Sequence, residues 1–334
     1  MNKKALAVLE YDKILNMLRE CAGSEMARAK IALFRPSSNP YKIRERLAET
    51  SEAVQVIARK GAIPLGQLYD IENALHLARK GGSLTMRQLL QVLYDLKVTG
   101  DVVTFLRSDL PQLPILDGMR EVLVTFPRLA DRIDRCILSE DEMADSASPE
   151  LKDIRRSIVR QNEAIRNRLN QILSNRDNQT YLQDSLVTMR DGRYVVPVKA
   201  EHRAKMPGIV HDQSSSGATI FVEPQVIVDL NNGLRELELA ERAEIDRILA
   251  ELSSNVAEHF HDLLNNQKIL VQMDVIFAKG KLSCRMQAEQ PQMNEDGELD
   301  LKQARHPLLE IKKAVPINVA VGKDYRTLVI TGPN

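Results

Sequence analysis

The chain has 334 residues, room for two or three domains, with 43% hydrophobic residues, few aromatics and no tryptophan. Its 46 basic and 46 acidic side chains cancel, which excludes a global attraction to nucleic acid and leaves any basic surface to be local. No apolar run is fit to span a membrane, and Met1-Asn2-Lys3-Lys4 is not followed by a signal-peptide core. Cys21, Cys136 and Cys284 match no metal spacing and read as buried free thiols in a reducing compartment, so the expected location is cytoplasmic.

Residues 1–147 read as a helical core domain. Apolar residues recur at helical spacing at Leu9, Met17 and Leu18, at Leu47, Val54 and Ile57, and at Leu89, Leu93 and Leu96. Breakers separate them at 36–40, at Gly81-Gly82-Ser83 and at 111–114. Glu140-Asp141-Glu142 reads as a solvated acidic linker. Ser148-Pro149-Glu150 then supplies an N-cap, a proline suited to the first helical position and an acid for the first turn. Leu151, Ile154, Ile158, Ile165, Leu169 and Ile172 make a narrow seam on a helix about 40 Å long. A second long helix is expected from 227 to about 284, with Leu234, Leu237, Ile245, Ile248, Leu252, Val256, Phe260 and Leu263 on its seam. Uninterrupted, it would reach roughly 80 Å. The two segments, 148–183 and 227–284, should pair antiparallel and carry the intervening residues at their tip.

That insert, 184–226, is β-like. Asp191-Gly192 between β-rich runs is a hairpin signal, and further strands are expected at 208–210 and 218–222, joined by the polar loop Gln213-Ser214-Ser215-Ser216-Gly217. Residues 285–334 open an incomplete α/β domain, with a loop at 291–297 and strand-like runs at 317–321 and 328–330. The expected fold class is mainly α with a small β insert.

Two groups of residues suggest chemistry. Between Ser185 and His211, the residues Arg190, Arg193, Lys199, Arg203 and Lys205 face only Asp191 and Glu201, with His202 and His211 able to add charge below neutrality. They form a candidate nucleic-acid surface, and the same content equally describes a solvated hairpin. The hydroxyls and amides of 213–219 suit phosphate or ribose, or merely connect strands. The second group is Gly332, Pro333 and Asn334, after the apolar run 328–330. Gly332 stands where the first glycine of the phosphate-binding loop G-x-x-x-x-G-K-[ST] falls. The remaining glycine, lysine and hydroxyl would lie beyond Asn334, so the chain reads as the front part of a longer protein, divided inside its ATP site. No catalytic residue and no metal ligand set is identified. His259 and His261, two apart on a helix, face different ways.

Thr331-Gly332-Pro333-Asn334 resembles the opening of the ATP loop of the MutS family, and Ala304-Arg305-His306-Pro307-Leu308-Leu309 resembles an Arg-His-Pro element of the same ATPase domain. The insert sequences 191–199 and 211–219 resemble the clamp of the second bacterial MutS branch, which lacks the mismatch-reading domain. The resemblance implies a homodimeric ATPase that takes ATP and Mg²⁺ in its full-length form, with neither expected on these residues alone. It implies that His306 helps frame the nucleotide and that lever helices carry a clamp. The implied partners are branched or double-stranded DNA, where the branch suppresses recombination, or collided ribosomes and their rRNA, which it splits for rescue. A C-terminal nuclease domain is common in that branch. Two other classes compete. One is a non-enzymatic coiled-coil binding or spacer arm, which would not need a basic tip. The other is a long-armed chromosome-organising ATPase, which would place its ATP loop near the N-terminus.

Overall fold

The computed structural model describes residues 3–107, 112–310 and 312–332. The fold is mainly α with a small β insert, and its elements group into two compact units. Unit 1 contains residues 1–81, 88–131 and 255–334, and unit 2 contains 82–87 and 132–254. The helices before the insert are α1 (Lys3–Val8), α2 (Tyr11–Cys21), α3 (Glu25–Ala32), α4 (Pro40–Lys60), α5 (Glu72–Arg79), α6 (Met86–Arg107), α7 (Pro114–Glu121), α8 (Pro127–Cys136), α9 (Pro149–Ser174) and α10 (Arg176–Gln179). The insert has β1 (Thr188–Arg190), β2 (Arg193–Lys199), β3 (Gly208–Gln213) and β4 (Thr219–Pro224). It is followed by α11 (Gln225–Glu258), α12 (Phe260–Met286), β5 (Leu299–Ala304) and β6 (Ile317–Val321).

Unit 1 is built around α12, which packs against α2, α3, α4 and α5. Leu270, Met273, Ile276, Phe277 and Ala278 are buried on several sides of it, as befits a helix enclosed by others. Gly280 lets it approach α4: an added Cβ would lie 2.9 Å from the Ala53 Cβ. Three buried polar residues of α12 pin surrounding backbone. Asp274 accepts from Gly23 N (2.9 Å), Ser24 N (2.7 Å) and Ser24 Oγ (2.6 Å), and Ser24 Oγ in turn caps α3 by accepting from Ala27 N. Asn266 exchanges two hydrogen bonds with the backbone of Val124, and Gln267 donates to the Tyr69 carbonyl.

Asp95, on α6, is buried beside Gln267. Burial outweighs the hydrogen bonds from Tyr69 N and Gln267 and raises its pKa from 3.8 to about 7. The folded state therefore holds this proton more tightly than the unfolded chain. Asp95 contributes stability that is fully present below its unfolded value and lost as pH rises through about 7. Asp95→Asn is expected to flatten the decline in stability between these limits and to leave the protein more stable than the parent at pH above about 7. Urea midpoints measured across that range check it, and an unaltered pH profile refutes it.

The helix expected to run unbroken from 227 to 284 is divided. His259 (φ −105°, ψ 18°) separates α11 from α12. Its ring stacks on Phe126 with centroids 4.3 Å apart, while Phe260 is buried under the Arg79 guanidinium and the His76 ring. No proline or glycine marks the break, because it is held by contacts with distant residues. The cysteines also differ from expectation. Cys136 is buried, Cys21 is half-buried and Cys284 is exposed. Strand β6 pairs with β5, which local patterning did not reveal. Residues 328–330 form no strand among the described residues, and Val329 and Ile330 are exposed, with no neighbouring strand to satisfy their backbone.

In unit 2, Ser148 caps α9 by accepting from Leu151 N, and donates its own hydroxyl to Glu244 of α11 at 2.6 Å. Arg155 donates to Glu241, and Gln161 donates to the Leu230 carbonyl. Later residues of α9 thus meet earlier residues of α11, so the helices run antiparallel. Arg247, helped by Ser148, holds Glu244 down at about 2, so this junction is charged at neutral pH. The insert folds as an antiparallel sheet in the order β1-β2-β4-β3, with a bulge between Val210 and Asp212. Val196, Val198, Ile220 and Val222 pack with Ile165, Leu169 and Leu173 of α9 and with Ile227 and Leu234 of α11 in one core.

Candidate nucleic-acid interface

The alternation along β2 sets the geometry. Val196 and Val198 point into the core, so Arg193 and Lys199 belong to the opposite face. Arg190 is paired directly across from Arg193. Phe221 and Glu223 stand on that same face of β4, because Ile220 and Val222 face the core. Three of the five expected basic residues therefore share one side of the sheet.

That side is not a set of free cations. Arg190 Nε donates to Asp212 at 2.9 Å while its guanidinium lies 4.1 Å from the Phe221 ring centroid. Arg193 reaches Glu223 at 2.9 and 3.2 Å and Asn232 at 2.8 Å. Glu223 is fully buried and also accepts from Asn231 (2.8 Å) and His211 Nε2 (2.6 Å). An ionised carboxylate has only acceptors, so the imidazole supplies the proton of that bond. Burial pushes the Glu223 pKa up, but the bonds from Asn231, His211 and Arg193 outweigh it and hold the carboxyl below its usual range. Asn231 also bridges to the backbone of Tyr194. Arg193 is thus a structural member of the sheet as well as a surface charge.

Lys199 reaches the Thr180 carbonyl at 3.3 Å, and Arg203 donates to the carbonyls of Met206 and Gly208. Lys205 is exposed and has no side-chain partner among the described residues. The loop 213–219 is closed on itself: Ser214 N and Oγ bond Thr219, and Gln213 reaches the Gly217 carbonyl. Gly217 adopts φ +71°, which suits glycine. Sequence patterning located these cations but not their acceptors. Glu223, Asn231 and Phe221 carry no local signal, since their roles arise only when β4 and α11 meet β2.

At the other expected site, Gly332 is exposed with nothing within 4 Å of where a Cβ would stand, and Pro333 and Asn334 lie outside the described residues. His306 is exposed on the turn after β5, where its Nδ1 accepts from Leu308 N at 3.3 Å. The 334 residues contain no complete G-x-x-x-x-G-K-[ST] loop. Among the described residues, no group of three or more His, Cys, Asp or Glu side chains is placed to hold a metal, and no helix is long and apolar enough to cross a membrane.

No family model matches the chain. Whole-chain relatives are nevertheless found. A protein named Endonuclease MutS2 from Alkaliphilus oremlandii is 47% identical over 336 aligned residues, covering 100% of this chain and 42% of that protein. Endonuclease MutS2 from Alkaliphilus metalliredigens is 45% identical, with 100% and 43% covered, and that of Clostridioides difficile 44%, again with 100% and 43%. The chain therefore spans less than half the length of these relatives. The similarity runs through the helical unit, the antiparallel pair and the sheet alike, and on it the chain belongs to the MutS family, in its MutS2 branch.

Proposed function

We propose that this chain forms the core, lever and clamp part of a homodimeric MutS-type ATPase that holds nucleic acid. In this reading residues 1–147 are the core, 148–183 and 227–284 the levers, 184–226 the clamp, and 285–334 the start of the ATPase domain. The substrate is branched or double-stranded DNA, with suppression of recombination as the outcome. A collided ribosome, split for rescue, offers the same phosphate chemistry through its rRNA. The observation that carries the reading is a small sheet inserted between two antiparallel helices, with Arg190, Arg193 and Lys199 on one face. ATP and Mg²⁺, and any nuclease activity, are assigned to the full-length protein, working in the cytoplasm. Gly332, Pro333, Asn334 and His306 would border the nucleotide there, while Lys199, Lys205, Arg190, Arg193 and Arg203 would face the nucleic acid.

The test uses spin labels at Ser215→Cys, on the exposed sheet loop, in the full-length dimer with Cys21 and Cys284 replaced. The distance between the two labels is expected to change when branched DNA and ATP are added. Identical distances in every state would mean that the clamp does not move with ATP or DNA. Failure to retain either DNA or ribosomes would remove the nucleic-acid reading. The internal engagement of Arg190, Arg193, Lys199 and Arg203 favours a second reading, a binding or spacer arm without enzymatic function, and that failure is the result it requires.

A further inference from the structure

We propose that the outer face of α9 is a track for the sugar–phosphate backbone of duplex DNA. This rests on the reading of unit 2 as a nucleic-acid-holding element, and it moves the principal charge contacts from the sheet to the helix.

The 26 residues of α9 extend about 39 Å. Leu151, Ile165, Leu169 and Leu173 occupy its buried side. On the opposite side Lys152, Arg156 and Arg160 follow one another at four-residue spacing, each about 6 Å further along the axis. Asn167 and Gln171 continue that side, and Arg166 flanks it; all are exposed. Lys152, Arg160 and Arg166 have no side-chain partner among the described residues. Arg156 lies 3.7 Å from Asp153, with both side chains well exposed. Glu163 stands one turn from Arg160 and from Arg166 and pairs with neither.

Like charges at four-residue spacing on a helix repel and destabilise it. Folding alone therefore gives no reason for three cations in a row. The rest of the unit sharpens the contrast. On α9 six basic residues stand against three acids, whereas on α11 three stand against eight. The arginines of α11 are largely absorbed locally: Arg247 by Glu244 and Glu251, and Arg235 by Glu238. Of this antiparallel pair, α9 thus carries the excess of positive charge; Arg155 is taken up by Asp145 and Glu241, while Lys152, Arg160 and Arg166 are left without an acidic partner among the described residues. The exposed amides add donors and acceptors suited to phosphate and sugar. No aromatic residue lies on α9, so the face lacks the stacking platform that unpaired bases use. The occupant that fits is a duplex backbone, read without sequence preference.

The experiment compares full-length protein with a Lys152→Gln/Arg156→Gln/Arg160→Gln/Arg166→Gln variant. Binding to a duplex DNA of about 30 base pairs is followed by fluorescence anisotropy between about 50 and 200 mM KCl. The slope of log K against log salt is expected to become shallower by about 3 to 4, with at least a tenfold loss of affinity at about 100 mM. The Lys152→Gln/Arg156→Gln pair should show about half the change in slope, which keeps the result interpretable if the quadruple variant folds poorly. Arg242→Gln, on α11, should leave the slope as in the parent. An unchanged slope in both α9 variants overturns the track while leaving the nucleic-acid reading intact. So does an equal loss from Arg242→Gln, which would indicate net charge alone. A parent protein that does not bind the duplex removes both the track and the reading beneath it.

Discussion

Replacing Glu223 with alanine is expected to destabilise unit 2 by about 3–5 kcal/mol, the cost of breaking a buried ionic group by removing one partner. The carboxylate is inaccessible to solvent and collects hydrogen bonds from three side chains on three elements: Arg193 on β2, His211 on β3 and Asn231 on α11. Its loss leaves Arg193 and Asn231 without their common acceptor and opens the joint between the sheet and the start of α11. Urea unfolding followed by circular dichroism should show a lower midpoint with the slope m unchanged. The pH dependence has a definite sign. The folded carboxyl is depressed below its ordinary value of 4.5, so its contribution is present above that value and lost as pH falls through the folded one. Glu223→Gln should abolish that acid-side component while costing less than alanine at neutral pH, since an amide retains one acceptor. A neutral-pH stability equal to the parent in both variants would mean that the cluster contributes nothing net.

Asp274→Ala should be comparably costly in unit 1, about 3–5 kcal/mol. One carboxylate satisfies two backbone amides and a hydroxyl at 2.6–2.9 Å, and it does so where residues 23–24 lead into α3. Without it, Gly23 N and Ser24 N have no acceptor there, and the Ser24 cap loses the contact that orients it. Hydrogen exchange should therefore accelerate most at the amides of α2 and α3, ahead of those in the centre of α12. Uniform acceleration across unit 1 would show instead that the carboxylate supports the whole core and not this junction. Asp274→Asn, which keeps a single acceptor oxygen, is expected to lose roughly half as much.

Helix positions followed from periodicity because burial on one face imposes a 3.6-residue repeat, and the Ser148-Pro149-Glu150 start was readable because capping is local chemistry. The Asp191-Gly192 turn was readable for the same reason: both residues adopt positive φ, at 50° and 75°. Other features had no local signature. Asn266, Gln267 and Asp274 look like surface residues in the sequence, yet they are buried because loops far along the chain bring backbone donors and acceptors to them. The break at His259 depends on Phe126, and strand β5 on its pairing with β6. The basic content of the insert was visible as composition. The engagement of Arg190, Arg193, Lys199 and Arg203 within the fold, with Lys205 left exposed, was not, because a residue's charge is written in its identity whereas its partner is chosen by packing.

By itself, then, the sequence determined which segments are helices, where the hairpin turns and how charge is distributed along the chain. These depend on short-range sterics, capping and periodic burial. Only the tertiary structure decided which charges are neutralised, which polar residues are buried and where the long helix divides. Those outcomes depend on distances between residues that are remote in the chain, and no local pattern encodes such distances.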